Sequence, residues 1–377
     1  QQPILLDSLL DPRLLYKPPR GEDLVAELDQ ILEPIAADDL EHRMDSLRRF
    51  RHEQMLRIAA ADVTNSIPLM VVSDHLTELA EVIVRQALAE AWSELSKRYG
   101  QPVREDGSVA GFIVVGYGKM GGIELGYGSD LDVVFLHDGA PDANTDGEKT
   151  LSHHAFFLRL AQRIIHMLAT QTGGGRAYEI DTRLRPSGKS GLLVTSLPAF
   201  RSYQEDKAWT WEHQALVRAR AVAGDEKLSE LFTESRNQVL SRKRNWEELA
   251  EQVVSMRRKM REHLDGSNPE QLDVKQMPGG LIDIEFIAQY CTLRYSGECP
   301  ELLIFTDTIR ILETMESAQL MDLETTQALT GAYREYRRRV HRAALQEQRA
   351  SIGADDLQTT RDAVIEVWKQ MLESAEN

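Results

Sequence analysis

Gly116-Tyr117-Gly118-Lys119-Met120-Gly121-Gly122-Ile123-Glu124-Leu125-Gly126-Tyr127-Gly128-Ser129-Asp130-Leu131-Asp132 is the stretch on which the reading of this chain turns. It joins two short apolar runs, Phe112-Ile113-Val114-Val115 and Leu131 to Leu136, each of which suits a buried strand. Two readings compete for it. Gly116-Tyr117-Gly118-Lys119-Met120-Gly121 matches G-x-G-x-x-G directly after a strand, and Asp138 lies 22 residues after Gly116, where a dinucleotide-binding unit carries its ribose-binding acid. That unit also needs a crossover helix of about a dozen residues before its second strand. Here glycines recur at 122, 126 and 128 and the next strand begins by Leu131, so no such helix fits.

The second reading starts at Gly128-Ser129-Asp130-Leu131-Asp132. Residues i and i+2 of a strand face one side, so Asp130 and Asp132 carry their carboxylates to one place. Two such charges repel unless a cation lies between them. Hard oxygen ligands suit Mg²⁺, which takes one or two carboxylates together with phosphate oxygens and water. Gly128 leaves the backbone bare and Ser129 offers a hydroxyl and an N–H, a cradle for a terminal phosphate. The bland alternative makes both acids strand-end caps.

A third acid is expected from a neighbouring strand, and Asp181 in Tyr178-Glu179-Ile180-Asp181-Thr182-Arg183-Leu184-Arg185-Pro186 is the candidate, with Glu179 on the same face if alternation holds. A lone acid beside arginines also suits a plain salt bridge. Arg183 and Arg185 either hold phosphates or face solvent at a strand end. Lys119 and Lys189 are further candidates for nucleotide charge, Lys119 the weaker because glycine-flanked lysines are often simply exposed.

Outside this core the chain reads as helix. Leu76, Leu79, Ile83, Ala87 and Ala91 recur at spacings of three and four within a helical region from about Glu22 to Tyr99. Arg48-Arg49-Phe50-Arg51-His52 reads as a solvated helix face. A helix over about Leu151 to Thr170 carries Phe157, Leu160, Ile164 and Leu168. His153 and His154 point apart there and mark a helix start rather than a metal pair. Short strands are predicted at Ala177 to Asp181 and Leu192 to Thr195. From Leu197 the chain returns to helix, broken near Pro269 and at Pro278-Gly279-Gly280, and the last hundred residues suggest a helical bundle. Asp283 and Glu285 diverge on a helix, one expected as a first-turn charge and one as a packed contact to the catalytic unit. Trp209 and Trp211 are expected to be buried, and the basic run Tyr333 to Arg339 to be a solvated face or a partner surface. The division that follows is a helical region over 1–108, a catalytic domain over 109–225 and a helical bundle over 226–377.

A net charge of -16 and a pI near 5.2 argue against a nucleic-acid partner. No apolar run of about 18 residues suggests a membrane span, and no signal peptide is evident. Cys291 and Cys299 make no disulfide scaffold, which points to a cytoplasmic setting. The start at Gln1 rather than Met suggests a fragment of a longer chain.

Three motifs in order, the opening stretch, Arg183-Leu184-Arg185-Pro186-Ser187-Gly188-Lys189-Ser190-Gly191 and Pro278-Gly279-Gly280-Leu281-Ile282-Asp283-Ile284-Glu285-Phe286, spread over about 170 residues and resemble the glutamine synthetase adenylyltransferase family. Its enzymes carry two homologous nucleotidyltransferase halves, and Gly126-Tyr127-Gly128-Ser129 is closer in wording to the C-terminal, adenylylating half. The resemblance implies an α+β fold of the nucleotidyltransferase superfamily, related to DNA polymerase β and kanamycin nucleotidyltransferase, with a small mixed sheet flanked by helices. It implies that Asp130, Asp132 and Asp181 bind two Mg²⁺ ions, with ATP as substrate. The implied reaction moves AMP to a tyrosine hydroxyl of glutamine synthetase, under control by glutamine and the PII signal-transduction protein. Rivals are a phosphorolytic deadenylylase using the same site, a small-molecule nucleotidyltransferase, and a silent regulatory module that would have no need of all three acids.

Overall fold

The computed structural model describes residues 18–264, 271–353 and 355–373; the break expected near Pro269 lies outside them. These residues form two compact units. One comprises the chain through Leu125, Ser129–Tyr203 and Arg220–Thr233, and the other Gly126–Gly128, Gln204–Ala219 and the chain from Glu234 onward.

The first unit opens with three helices, α1 (Gly21–Leu32), α2 (Leu40–Val63) and α3 (Leu69–Tyr99). Helix α3 starts after Pro68 and stops at Gly100, whose φ of 75° only glycine adopts at little cost. Leu76, Leu79, Ile83, Ala87 and Ala91 are all buried, as their spacing predicts. Strands β1 (Phe112–Gly116) and β2 (Leu131–His137) pair antiparallel, Gly116 opposite Val133, and only a four-residue helical turn, Gly118–Gly121, stands between them. The loop is therefore too short for a dinucleotide crossover, as the glycines indicate. Helix α4 (His153–Ala169) begins at Ser152, whose hydroxyl accepts from Ala155 N at 3.2 Å, so His153 and His154 do mark a helix start.

Two strands, β3 (Ile180–Asp181) and β4 (Val194–Ser196), lie parallel to β2, and β5 (Arg220–Gly224) lies antiparallel to β1. The fold is α+β with a mixed five-stranded sheet. Val84 of α3, Val114, Val133, Phe135, Ile164 and Leu168 of α4, and Ile180 share one apolar interior, which holds the sheet against both helices. Phe112 stacks on Phe135 and Phe157, and His137 lies over Phe157 with ring centroids 4.6 Å apart.

Several expectations change here. The strand expected over Ala177 to Asp181 keeps only its last two residues, because Tyr178 turns inward and donates its N–H to Leu168 O at 3.0 Å. Leu192 is exposed, and its strand begins two residues later. Helix does not run on unbroken from Leu197: β5 intervenes, its Val222 and Ala223 buried against β1, a tertiary pairing that a five-residue Arg-Ala-Val-Ala-Gly run does not announce. The Arg48 to His52 run is no solvated face. Arg48 and Phe50 are fully buried, and only Arg49 of the five is exposed.

Helices α5 (Leu197–Asp206) and α7 (Glu226–Leu240) each have residues in both units, while α6 (Thr210–Val217), α8 (Trp246–Leu264), α9 (Leu281–Tyr295), α10 (Thr308–Ser317), α11 (Leu323–Leu345) and α12 (Gln358–Trp368) belong to the second, which is mainly helical. A small antiparallel pair, β6 (Gln271–Asp273) and β7 (Ser351–Gly353), was not foreseen. Asp283, in the first turn of α9, accepts from Arg257 Nε at 2.6 Å and from Gly279 N at 2.8 Å, and also meets Arg261. Glu285 pairs with Arg218 at 3.0 Å and accepts from Tyr333 Oη at 3.2 Å. These acids are thus fold residues, and removing either partner would strand a buried charge. Trp209 is not buried as expected: the residue is 71% exposed, and it opens α6 through its backbone N–H, which donates to Glu212 Oε2 at 2.9 Å. In the Tyr333 to Arg339 run, Tyr333, Tyr336 and Arg337 are buried, while Arg338 and Arg339 pair with Glu335 in their own helix.

Candidate active site

Strand register assembles the three acids. Leu131 N donates to Glu179 O at 2.9 Å, which sets Leu131 beside Ile180 and Asp132 beside Asp181. Asp130, Asp132 and Asp181 each bring one carboxylate oxygen to within 4.8 Å of the others. Asp130 is exposed and the other two half-buried, so the cluster opens to solvent on the Asp130 side. Glu179 does not join them. It lies just outside β3, and its carboxylate is 71% exposed and paired with Arg176.

Three like charges so close need a counter-charge. Arg183 supplies one: its N–H donates to Asp181 Oδ1 at 2.8 Å and its Nε to Oδ2 at 2.6 Å. Burial of Asp181 works against its charged form, but the Arg183 bonds and charge, helped by Lys189, outweigh it and hold the carboxyl below its ordinary range. The hydrogen bond and charge of Asp181, with Asp132 and Asp130 behind it, push Arg183 upward. The Arg183 side chain is 66% exposed against 13% for Asp181, so the guanidinium lies on the solvent side of the pair.

Asp132 is seated differently. Gly118 has a φ of 53°, and a Cβ there would lie 2.5 Å from Asp132 Oδ2. Glycine is required both by its backbone and by the carboxylate against it. Tyr117 N donates to Asp132 O at 2.9 Å. The turn bearing Gly118 is tied in turn by Arg220, which donates to Gly121 O at 3.1 Å and Met120 O at 3.2 Å and pairs with Glu81 of α3. In the sequence Gly118 stands only as one glycine of the G-x-G-x-x-G match, with nothing to tie it to Asp132, and Arg220 lies on a strand that forms by pairing with β1.

The remaining candidates fall around the acids in sequence but differ in use. Gly128 is exposed, and an added Cβ would meet nothing within 4 Å, so packing does not demand glycine there. Ser129 and Lys119 are half-buried. Arg185 folds its own loop, donating to Thr182 O at 2.8 Å, Gly191 O at 3.2 Å and Lys189 O at 3.1 Å. The loop so shaped presents Lys189 exposed on a short 3₁₀ turn, Gly188–Ser190. Asp138, the ribose-binding acid of the discarded reading, accepts from Gly111 N at 2.7 Å and pairs with Arg104.

The donor set is all oxygen and fits a divalent hard cation such as Mg²⁺, with the Gly118 backbone leaving space for the Asp132 carboxylate that would hold it.

Comparison with known proteins identifies a family. The profile of the family described as glutamate-ammonia ligase adenylyltransferase matches residues 1–235, and that described as GlnD PII-uridylyltransferase matches residues 232–362. The chain is 51% identical over 377 residues to the bifunctional glutamine synthetase adenylyltransferase/adenylyl-removing enzyme of Thioalkalivibrio sulfidiphilus, covering 99% of this chain and 39% of that protein. It is 48% identical over 383 residues to the protein of the same name from Pseudomonas aeruginosa, covering 98% and 39%. The chain thus spans about two fifths of the length of these curated relatives. Among the described residues no helix is long and apolar enough to cross a membrane.

Proposed function

The chain belongs to the glutamate-ammonia ligase adenylyltransferase family, and from that premise we propose that it transfers AMP from ATP to a tyrosine hydroxyl of glutamine synthetase, releasing pyrophosphate. The observation that carries the reading is the convergence of Asp130, Asp132 and Asp181 within 4.8 Å. Divalent cations held by these acids would supply charge neutralisation and polarisation at the phosphates.

The protein's own groups divide the remaining work. The bare backbone at Gly128 and the N–H and hydroxyl of Ser129 grip the triphosphate. Lys119 and Lys189 add positive charge, and Arg183, once it leaves Asp181, turns its guanidinium to a phosphate. Arg185 serves by holding the loop that carries Lys189. The tyrosine oxygen bonds to the α-phosphorus as the bond from that phosphorus to the pyrophosphate oxygen breaks, and the tyrosine proton passes to solvent or to a carboxylate. Asp181, beside Asp132 on the neighbouring strand and within 4.8 Å of both other acids, acts in this reading as a ligand first.

The wording Gly126-Tyr127-Gly128-Ser129 supports the adenylylating half of the family's paired domains. The opposite direction, phosphate-driven removal of AMP from glutamine synthetase, is supported by the relatives' double name. Control by glutamine and the PII protein rests on the resemblance alone. Incubating the chain with Mg²⁺, unmodified glutamine synthetase and ATP labelled at the α-phosphate separates the readings. Label on the synthetase tyrosine supports transfer. No label there, with ADP released from adenylylated synthetase on adding phosphate, overturns it in favour of removal.

A further inference from the structure

Residues 170–179 carry the chain from α4 to Asp181, and this path is held from an unexpected side. Strand β3 is two residues long and pairs in parallel, so few ladder bonds fix where it stands. Helix α2 supplies what the ladder lacks. Asp45, Arg48 and Arg51, three apart, share one face of that helix. Asp45 Oδ1 accepts from Thr172 Oγ1 at 2.7 Å. Fully buried Arg48 donates to Thr170 O at 2.6 Å, Gly175 O at 2.9 Å and Met167 O at 3.3 Å, joining the carbonyls at the end of α4 to the Thr172–Gly175 turn. Arg51 lays its guanidinium over the Tyr178 ring, 4.5 Å from the centroid. Tyr178 stands three residues before Asp181, and its neighbour Glu179 is fixed to β2 through Leu131 N. No slack chain separates the clamp from the carboxylate.

We propose that Arg51, on the helix whose Arg48 ties the start of the same path, is a positioning residue for Asp181, fixing through Tyr178 where its carboxylate stands relative to Asp130 and Asp132. The proposal rests on reading the three acids as a metal centre. A partner that orients a ligand without touching the metal changes affinity for the metal, commonly by about tenfold or more when removed. A purely structural clamp would change melting temperature and leave the affinity of the folded protein alone.

The experiment is a Mn²⁺ titration followed by electron paramagnetic resonance on the whole chain, without nucleotide, beside a thermal melt. Asp181→Asn is the control for the metal centre. Arg51→Met keeps the aliphatic stem and removes the cation, and Arg51→Lys keeps a cation. The expected result is weaker Mn²⁺ binding by about tenfold in folded Arg51→Met, largely restored in Arg51→Lys, with a raised Mg²⁺ requirement for turnover. Should Arg51→Met not fold, Tyr178→Leu removes the contact from the other side and is read the same way. Wild-type Mn²⁺ affinity in these folded variants, while Asp181→Asn binds weakly, overturns the proposal. Wild-type affinity in Asp181→Asn itself removes the metal reading, and the proposal with it.

Discussion

Asp130 and Asp132 stand at the head of a seven-residue strand buried in the middle of the sheet, whereas Asp181 rides on a two-residue strand at its edge. Both deliver carboxylates to the same few ångströms. On β2 the ladder to β1 holds the strand itself, and the close approach of Gly118 seats the Asp132 carboxylate against it. On β3 the backbone contributes little, and side chains from elsewhere do the fixing: Arg183 after the strand, Arg48 and Arg51 before it. One acid pair is placed by local geometry and the third acid by tertiary contacts.

That contrast predicts a graded response to substitution. The greatest losses belong to the acids on β2, and Asp132→Asn removes one such ligand from the rigid side. Mg²⁺-dependent nucleotidyl transfer should drop by about three orders of magnitude with the melting temperature little changed. Gly118→Ala comes next. Its methyl group would need the space of Asp132 Oδ2, 2.5 Å away, and a displaced carboxylate should lower kcat by roughly a hundredfold. Steady-state kinetics beside a thermal melt would distinguish this from general unfolding.

A smaller effect is expected on the edge side. Arg183 holds Asp181 below the ordinary carboxylate range, so the acid limb of the pH–activity profile should rise toward higher pH in Arg183→Gln. An unmoved acid limb would detach Arg183 from the control of Asp181.

The smallest effect concerns the far end of β2. Burial, then the nearby His154, lowers His137 from its ordinary 6.5 to about 4. Between these values the unfolded chain takes up a proton that the folded one refuses. Stability should therefore be full above pH 6.5, fall as pH drops toward 4, and level off below. His137→Asn keeps an acceptor for Gly139 N and should flatten that slope in chemical denaturation, while costing some stability through the lost stacking on Phe157.

The same contrast explains what the amino-acid sequence disclosed. Strands β1 and β2, helix α3 and the pair Asp130 and Asp132 were legible because period-two and period-3.6 patterns are local. The length of the loop from Gly116 to Asp130 was enough to discard the dinucleotide fold. Strand β5 was not legible, since Arg220 to Gly224 becomes a strand only by pairing with β1. Nor was the burial of Arg48: a run of basic residues ordinarily faces water, and the carbonyls that take this guanidinium inside lie more than a hundred residues away. Glu179 was misplaced for a related reason, because the alternation that put it beside Asp181 needs a strand longer than two residues.

The central claim, that the three acids form a nucleotidyl-transfer centre, is tested most directly by comparing the chain with its Asp130→Asn variant in transfer of α-labelled AMP to glutamine synthetase in the presence of Mg²⁺. Asp130 is exposed, so its substitution should spare the fold. The account predicts labelled synthetase with the unaltered chain and a loss of about a thousandfold in the variant, at equal melting temperature. Equal labelling by both proteins would contradict it.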